Sequence, residues 1–457
     1  MKILILGAGQ VGASVAENLA SDANDITVVD LDDSLLKQLQ ERLDIQTISG
    51  NAAHPSILEN AGAEDSDMLL ALTKNDETNI IACKLASDLF NIPTKIARVR
   101  AADYMEYGNK KSLDFFDVDT TICPEQIVTN NIFQLIEYPG ALQVLSFANG
   151  CAQMIVVKAL KGGGIVGKSL KIINAEIPKI EFRISAIYRN DKLVIPNGDT
   201  VVEEGDEVFL ISARKNIHTI LKELRKDEKP IKRVMIAGGG NIGYRLAKCL
   251  EDKYDVKIIE KKEDRCEWLT EQLSHSLVLK GEATEEDLLE DENVDEMDVF
   301  IAITNDDEDN IMSSLLAKRL GARSVISLVN RTSYVDLLQG NKIDVVISPH
   351  LSTIGSLLAY IRRGDIEAVH PLRRGAAEAI EAVVHGDKKT SRVANRRIDE
   401  IQLPQDCYIS AIVRKDIVLM AHHDLIIESG DHIIIFVARR RQAKLVEQLL
   451  EVKIGFF

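Results

Sequence analysis

The sequence predicts an α/β protein built as a tandem repeat, in which a parallel-sheet lobe is followed each time by a small α+β lobe. One observation is an apolar strand with a glycine-rich turn at residues 3–12, which recurs at 234–243. Another is the segment 71–80, which recurs at 302–311 with the same offset of 231 residues. Two distant matches with one offset indicate a duplicated unit.

The repeat extends into the second lobe of each copy. Residues 186–189 recur at 411–414, and the Gly-Asp pair 205–206 recurs at 430–431, now with an offset of 225. The second copy has therefore lost six residues within the stretch 331–349. The whole chain is two copies of one two-lobed unit.

Four lobes follow from this duplication, with connecting helices predicted at 125–137 and 351–362. The seam between the copies is the charged stretch 225–230, which ends in a proline and is typical of a linker. The predicted lobes are 1–123 and 231–348 for the two parallel-sheet lobes, and 140–227 and 368–453 for the two α+β lobes.

Hydrophobic runs indicate the strands. In the first lobe, four short apolar runs bounded by polar residues predict buried parallel strands at 3–6, 26–29, 68–72 and 95–99. In the second lobe, strands are predicted at 154–159, 184–188 and 207–211, with a turn at 196–198. These α+β lobes look too small and strand-poor to be a typical substrate domain.

Composition and charge limit the classes of function. The 457 residues include 55 basic and 71 acidic side chains, which gives a formal net charge of −16. Because an acidic surface repels phosphate backbones and anionic lipid, we expect no nucleic acid partner. The longest apolar run, residues 433–438, is far below the roughly 20 residues that span a bilayer, so no direct membrane insertion is expected. Six scattered cysteines without a C-x-x-C pair predict neither disulfides nor zinc, and favour a cytoplasmic protein.

The glycine-rich turn of the first copy predicts a nucleotide site. Gly7, Gly9 and Gly12 follow a strand and open a helix, and Asp30 follows eighteen residues later at the end of a second strand. This is the fingerprint of a Rossmann-like lobe, in which the glycines admit a pyrophosphate and the acid accepts hydrogen bonds from the adenosine ribose. A carboxylate repels a 2′-phosphate, which favours NAD(H) over NADP(H). Because the fingerprint recognises only the adenosine diphosphate portion, ATP and ADP are alternative ligands.

The second copy repeats the fingerprint with Gly238, Gly240, Gly243 and Glu260. Lys261 beside this acid weakens the argument against a 2′-phosphate. We predict nucleotide binding here as well, with a retained cleft that binds no ligand as the alternative.

Residues after the third strand extend both predicted sites, because ligands bind at the carboxyl ends of parallel strands. Asn51 and Ala52 stand there in the first copy, and Glu282 and Ala283 in the second. An adenine could lie against them.

Residues near the fourth and fifth strands are further candidates. Thr73 follows the fourth strand, but a plain helix start with Thr73 as the cap and Asp76 in the first turn explains this segment equally well. Arg98 and Arg100 end or follow the fifth strand and are candidate phosphate ligands, with a solvated face as the alternative.

The sequence offers no catalytic group for hydride transfer, which would need an acid or base facing the nicotinamide. His54 precedes a proline in a loop and its repeat counterpart is Glu285, while the pair His422-His423 stands in a predicted hairpin turn. We therefore predict that the protein is not an enzyme. A soluble NAD-dependent oxidoreductase and an interaction scaffold with vestigial pockets are the alternatives.

The duplicated fingerprint, the acid after strand two, the T-x-x-D-E-x-N-I segment and the small lobe with its Gly-Asp turn resemble RCK domains, in which a KTN lobe precedes a TrkA-C lobe. The likeness covers essentially the whole chain. It implies a cytoplasmic regulatory subunit, peripheral on the inner face of the cell membrane, that forms a homo-oligomeric ring, a homotetramer. It further implies a partner, a membrane potassium-translocating subunit of the Trk type, whose transport is gated by NAD(H), ATP or ADP in the parallel-sheet lobes.

Carried over by position, the resemblance assigns these binding residues in the first copy: Gly7, Ala8, Gly9, Gln10, Val11, Gly12, Asp30, Thr73, Lys74 and Arg98. In the second copy it assigns Gly238, Gly240, Asn241, Ile242, Gly243, Glu260 and, as the counterpart of Thr73, Thr304. The arginine of the fifth strand has no counterpart there, because position 329 is valine, which argues against equal ligand preference.

Overall fold

The computed structural model describes residues 1–20, 24–101, 104, 115–176, 180–190, 192–224, 229–338, 343–362 and 365–452, without the side chains of residues 332, 336, 337 and 374. The chain divides into two compact units. One comprises Met1–Ile127 with Ser352–Leu357, and the other comprises Val128–Leu351 with Leu358–Phe457.

The first unit contains a six-stranded parallel sheet. Its strands are β1 (Lys2–Leu6), β2 (Asp25–Asp30), β3 (Gln46–Ser49), β4 (Met68–Ala71), β5 (Thr94–Arg98) and β6 (Thr120–Ile122). Its helices are α1 (Gln10–Ala20), α2 (Asp33–Gln40), α3 (Pro55–Asn60) and α4 (Asp76–Asp88), with a short 3-10 helix at Ala63–Asp65. The strand order is β3-β2-β1-β4-β5-β6. The order reverses between β1 and β4, which is where open α/β sheets bind ligands.

The apolar strands of this sheet form its core. Four of the five residues of β1 and all four of β4 are buried, as expected where both faces of a parallel sheet are covered. Strands β1, β2 and β4 end at about the same level in the sheet, because Leu6 pairs with Val29 on one side and with Ala71 on the other. The loops after β1, β2 and β4 therefore emerge at one edge.

The second unit contains a parallel sheet of the same order, β14-β13-β12-β15-β16-β17. These strands are β12 (Arg233–Ala237), β13 (Asp255–Glu260), β14 (Leu277–Lys280), β15 (Val299–Ala302), β16 (Ser324–Leu328) and β17 (Val345–Ile347). The accompanying helices are α8 (Asn241–Leu250), α9 (Glu263–Gln272), α10 (Glu286–Asp291), α11 (Asp307–Leu320) and α12 (Thr332–Leu338), with a 3-10 helix at Val294–Glu296.

The same unit holds two five-stranded antiparallel sheets. The first, of order β10-β9-β11-β8-β7, has strands β7 (Ala141–Phe147), β8 (Ala152–Lys158), β9 (Phe182–Arg189), β10 (Lys192–Val194) and β11 (Glu207–Ala213), with helices α6 (Leu170–Glu176) and α7 (Arg214–Leu224). The second, of order β18-β19-β24-β21-β22, has strands β18 (Ile366–Leu372), β19 (Ala377–Val383), β21 (Cys407–Arg414), β22 (Ile417–Met420) and β24 (His432–Val437), with helix α14 (Ala443–Leu450).

Shorter elements complete the chain. A ribbon pairs β20 (Arg396–Arg397) with β23 (Ile426–Ile427), and 3-10 helices stand at Arg373–Gly375, Ile398–Glu400 and Arg440–Gln442. Two helices follow the parallel sheets along the chain, α5 (Pro124–Glu137) and α13 (Pro349–Ile361).

The predicted fold class is confirmed, since each Rossmann-like parallel sheet is followed by an α+β lobe. The expectation of strand-poor lobes is wrong, because β7 and β10 join the three predicted strands. β10 has only three residues, too few for a hydrophobic period to reveal. Residues 225–228 of the predicted linker lie outside the described part of the chain.

Candidate nucleotide-binding site

The turn between β1 and α1 requires two of its three glycines for its own geometry. Gly7 has a φ of +108°, a conformation that side chains rarely adopt, and its amide donates to Val29 O at 2.7 Å. A Cβ on Gly12 would stand 1.8 Å from Gly7 O. The second copy repeats this, with a φ of +110° at Gly238 and a distance of 1.9 Å from a Gly243 Cβ to Gly238 O.

No contact within the protein requires a glycine at the middle position of the turn. A Cβ on Gly9, or on Gly240 in the second copy, would meet no protein atom within 4 Å. The space beside these residues fits a ligand that approaches the backbone, as the pyrophosphate of a dinucleotide does. Ala13 N donates to Gly9 O at 2.8 Å, so Gln10 and Val11 form the amino-terminal turn of α1, which favours an anion.

The acid after the second strand is fixed by the loops around it. Asp30 accepts hydrogen bonds from Ala8 N and from Asp32 N, the latter at 2.9 Å. Glu260 accepts from Gly239 N and Lys262 N, both at 2.9 Å. Each carboxylate oxygen keeps acceptor capacity for a ribose hydroxyl.

The third strand brings the predicted adenine positions to the same edge. Gly50 N donates to Asp30 O at 2.9 Å, which places Asn51 and buried Ala52 beside the acid. In the second copy, Gly281 N donates to Glu260 O at 3.0 Å. There Glu282, followed by Ala283, forms an ion pair with Lys261 at 2.6 Å between Oε1 and Nζ.

The turn after β4 is ordered by Asn79, which is fully buried on α4. Its Oδ1 accepts hydrogen bonds from Thr73 N at 3.0 Å and Thr73 Oγ1 at 2.6 Å. Its Nδ2 donates to Thr73 O at 3.2 Å and to Arg98 O at 2.8 Å. The side chain therefore joins the ends of β4 and β5.

Asn310 repeats this network in the second copy. It accepts from Thr304 N and Oγ1, both at 2.8 Å, and donates to Leu328 O at 3.0 Å. Both asparagines lie in the repeated segments 71–80 and 302–311, where the sequence by itself assigns them no role. Their recurrence at an offset of 231 was the available signal.

The alternative interpretation of Thr73 as a helix cap is wrong. Helix α4 begins at Asp76, and its cap is Asn75, whose Oδ1 accepts from Thr78 N at 2.6 Å. The carboxylate of Asp76 accepts from Arg100 N at 2.7 Å and from Ala101 N at 2.9 Å. Asp76 therefore fastens the loop after β5.

The cations of the first cleft differ in their exposure and in the contacts that they make with other residues. Arg98 Nη2 donates to Glu125 Oε1 at 3.2 Å, and the two side chains are 16% and 15% exposed. Arg100 pairs with Asp76 and also donates to Lys74 O, so it holds the edge together. Hydrogen bonds that Asp32 accepts from Ser34 are the largest cause that lowers the pKa of Asp32, and the charge of exposed Lys74 lowers it a little further.

The second cleft lacks the arginine at the strand end, but its counterpart there is buried Leu328 and not the predicted Val329, because the chain before β16 is one residue shorter than the chain before β5. Asn330 takes the place of Arg100, and Arg331, in the place of Ala101, donates to Glu308 Oε1 at 2.7 Å and to the Tyr334 hydroxyl at 2.8 Å. Arg265 Nε donates to Gly239 O at 2.7 Å, and its guanidinium lies 3.9 Å from the ring centroid of Trp268. These contacts fix the loop around the cleft.

His54 precedes α3 and is exposed, and His422 and His423 are exposed after β22. Among the described residues, no cluster of three or more His, Cys, Asp or Glu side chains is arranged to hold a metal ion.

The described helices include none that is long and apolar enough to cross a membrane.

Family models match most of the chain. A model of the TrkA-N domain matches residues 3–124 and 234–349, and a model of the TrkA-C domain matches residues 154–225 and 388–450.

Solved structures show the same fold. The RCK domain of GsuK matches with a TM-score of 0.63 at 19% identity, over 98% of this chain and 94% of that one. The GsuK channel bound to NAD matches with a TM-score of 0.62 at 19% identity, over 98% of this chain and 78% of that one.

Curated relatives match along their full length. The chain is 52% identical to the Trk system potassium uptake protein TrkA of Halomonas elongata over 100% of both chains. It is 48% identical to that of Vibrio alginolyticus over 99% of both chains. A TrkA homolog of Methanosarcina mazei is 32% identical over 99% of this chain and 100% of the relative. The chain therefore belongs to the TrkA family of Trk system potassium uptake proteins.

Proposed function

We propose that this protein is a cytoplasmic regulatory subunit, peripheral on the inner face of the membrane, that binds NAD(H), ATP or ADP and gates potassium transport by a membrane subunit of the Trk type. The nucleotide lobes are residues 1–123 and 231–348, and the α+β lobes are 140–227 and 368–453. The chains assemble into a homotetrameric ring.

The observation that carries nucleotide binding is the open space beside Gly9 and Gly240. The neighbouring glycines are explained by the protein's own contacts, whereas these two are not. An acid held by backbone amides stands beside the same turn in both copies. Both copies thus keep an open space at the middle glycine and a fixed acid. Dinucleotide binding requires these two features, whereas folding of the lobe does not.

The residues proposed to hold the ligand follow from their placement. The turn residues Gly7 to Gly12 and Gly238 to Gly243 would hold the pyrophosphate, and Asp30 and Glu260 the ribose. Near the adenine and outer phosphates we propose these residues: Asn51, Ala52, Thr73, Lys74 and Arg98 in the first copy, and Glu282, Ala283 and Thr304 in the second. Arg100 acts as a positioning residue through Asp76.

Gating requires a ligand that binds one ring conformation better than the other. A roughly 50-fold difference in affinity supplies about 2 kcal/mol per site, and several sites in one ring act together. The groups that distinguish ATP from NAD(H) lie beyond the shared diphosphate. Discrimination therefore depends on cations such as Arg98.

The test combines binding, turnover and transport. The full chain should bind NADH in a fluorescence titration and ATP in calorimetry, without consuming NADH when small oxidised substrates are supplied. Steady NADH oxidation would support the oxidoreductase alternative, and no binding of either nucleotide would support the scaffold.

Transport is tested with the membrane partner. The chain should co-purify with a potassium-translocating membrane subunit, and flux in proteoliposomes should change when NADH or ATP is added. Light scattering of the free chain should give four times the mass of one chain. Flux that ignores both nucleotides would contradict the proposal.

A further inference from the structure

One arginine of the second cleft is fixed by its neighbours and still keeps most of its hydrogen-bond donors. Arg265 Nε donates to Gly239 O at 2.7 Å, and its guanidinium lies 3.9 Å from the ring centroid of Trp268. Trp268 packs edge to face against Tyr244, with the ring centroids 4.8 Å apart. The guanidinium is therefore held beside the glycine turn by a hydrogen bond on one side and an aromatic ring on the other.

The terminal nitrogens of this arginine remain available to a ligand. A guanidinium has five N–H groups, and the bond to Gly239 uses one of them. Neither Nη1 nor Nη2 of Arg265 forms a hydrogen bond or an ion pair with a residue in the described part of the chain, and the side chain is partly exposed. A planar cation of this kind binds a phosphate through two parallel hydrogen bonds.

Contacts of one backbone residue place this arginine on the ribose side of the cleft. Gly239 N donates to Glu260 Oε2 at 2.9 Å, while Gly239 O accepts from Arg265. Glu260 is the acid proposed to hold the adenosine ribose, whereas the pyrophosphate is proposed to lie at the amino terminus of α8. A phosphate attached to the ribose would therefore be the phosphate that Arg265 meets.

We propose that the second cleft accepts a dinucleotide with a 2′-phosphate on its adenosine ribose, NADP(H), and that Arg265 binds this phosphate. The first cleft accepts only dinucleotides that lack it. This inference rests on the proposed function, in that both clefts bind adenine dinucleotides. In Rossmann-like lobes, an arginine near the acid is what accommodates a 2′-phosphate.

The first cleft has no equivalent donor. Asp30 and Glu260 are equivalent, since each accepts a hydrogen bond from the backbone amide two residues further along the chain. Five residues after the acid, the second copy has Arg265 and the first copy has Leu35. Lys74, whose charge acts on this loop, follows β4 and is proposed for the outer phosphates. A 2′-phosphate in the first cleft would therefore meet the carboxylate of Asp30 without an arginine beside it.

The acid of the second cleft is compatible with a phosphorylated ribose. Glu260 accepts two backbone N–H groups at 2.9 Å, which compensate part of its charge, and it keeps acceptor capacity for the 3′-hydroxyl. Lys261 contributes less to phosphate binding, because its Nζ lies 2.6 Å from Glu282 Oε1. Acceptance of the 2′-phosphate therefore depends on Arg265.

Single-cleft variants of the full chain test the proposal. Gly9→Ala should close the first cleft and Gly240→Ala the second, because the new methyl group fills the space proposed for the ligand and meets no protein atom within 4 Å. In calorimetric titrations, Gly9→Ala should bind NADPH and NADH with affinities within ~3-fold of each other. Gly240→Ala should bind NADPH at least ~10-fold more weakly than NADH.

Exchange of the residue five positions after the acid tests the role of the arginine. In the Gly9→Ala chain, R265L should weaken NADPH binding at least ~10-fold and change NADH affinity less than ~3-fold. In the Gly240→Ala chain, L35R should strengthen NADPH binding at least ~5-fold, which keeps the test valid if R265L disturbs the glycine turn. K253L removes an exposed cation before β13 and should change neither affinity.

The outcomes separate this inference from the proposed function. The same ratio of NADPH to NADH affinity in the two single-cleft variants would overturn the inference while nucleotide binding stands. So would an R265L variant that weakens both ligands equally, or an L35R variant without any gain for NADPH. Binding of NADH that persists in a chain with both glycines replaced would instead refute the proposed sites themselves.

Discussion

In the proposed first site, a ligand phosphate would compete with a protein carboxylate for Arg98. Its guanidinium donates to Glu125 at 3.2 Å, and both side chains are largely buried. A partly buried ion pair loses much of its advantage to desolvation, so a phosphate can replace the carboxylate at little cost. Arg98 thereby joins the nucleotide edge to the first turn of α5.

Two substitutions should move ATP affinity in opposite directions. Arg98→Ala should weaken ATP binding about 10-fold, or ~1.4 kcal/mol, and weaken NADH binding less. Glu125→Gln should strengthen ATP binding a few-fold, because it removes the competing charge. Calorimetric titration of both ligands measures this, with thermal unfolding as the control for folding. An unchanged ratio of ATP to NADH affinity in both variants would refute the role of Arg98.

His370 lies where the two α+β lobes meet. Its ring centroid is 4.9 Å from that of Phe147, and its Nε2 lies 3.1 Å from Ser146 O. Burial lowers the pKa of His370 to about 4, and the hydrogen bond to Ser146 opposes this only in part. The imidazole is therefore neutral at pH 7, and its Nε2–H donates to the carbonyl.

This burial predicts a pH dependence of stability. The folded pKa of His370 lies below the unfolded value near 6.5, so its contribution is complete above pH 6.5 and is lost as pH falls toward 4. The loss amounts to about 3 kcal/mol. Thermal unfolding should therefore depend less on pH between 6.5 and 4 in His370→Leu than in the unchanged chain. His422→Leu, at an exposed position, is the control, and an equal slope in His370→Leu would contradict the prediction.

At the scale of elements, helix α5 connects two lobes along the chain. Helix α5 begins at Pro124 beside the first sheet, and its later residues Val128, Ile132 and Ile136 belong to the core of the second unit. One end of the helix thus carries Glu125, which meets Arg98, and the other is fixed by apolar packing.

The hydrogen bonds of Asn79 predict that this residue stabilises the edge of the sheet where the nucleotide is proposed to bind. Asn79→Ala should destabilise the first lobe by about 2–3 kcal/mol, because it leaves buried partners at Thr73 and Arg98 unsatisfied. Hydrogen exchange should rise at residues 73–80 and 94–98, and NADH affinity should fall. Asn60→Ala, at the exposed end of α3, should change neither. Unaltered protection at the edge would show that other contacts order it.

At the scale of the whole molecule, the two α+β lobes share one apolar core. Phe147 and Phe209 from the first lobe and Phe436 from the second are almost fully buried, and the rings of Phe209 and Phe436 lie 5.7 Å apart. Gln143 Nε2 donates to Pro371 O at 3.1 Å across the same junction. A second shared core joins the first α+β lobe to the second parallel-sheet lobe, so apolar packing joins three lobes of the second unit.

This shared core predicts the behaviour of half the chain. The fragment 1–227 would expose the aromatic face that β18–β24 cover, and large apolar patches associate. Light scattering should show dimers or aggregates of the fragment. The variant F209S, tested in the same fragment, should reduce that association, and a monodisperse monomer of the unaltered fragment would contradict the prediction.

The sequence by itself determined the duplication, the Rossmann-like lobes and the acids after the second strands, because periodic apolar runs and glycine spacing are local signals. Only the tertiary structure decided the partners of side chains far apart in sequence. Arg98 meets Glu125 across 27 residues, and Lys261 meets Glu282 across the ends of two strands. The repeat in the sequence also did not predict that the two α+β lobes share a core. Matching positions between repeats do not indicate which faces of the lobes are in contact. Burial and pairing depend on the assembled sheets, and these contacts set the charge that each nucleotide cleft presents.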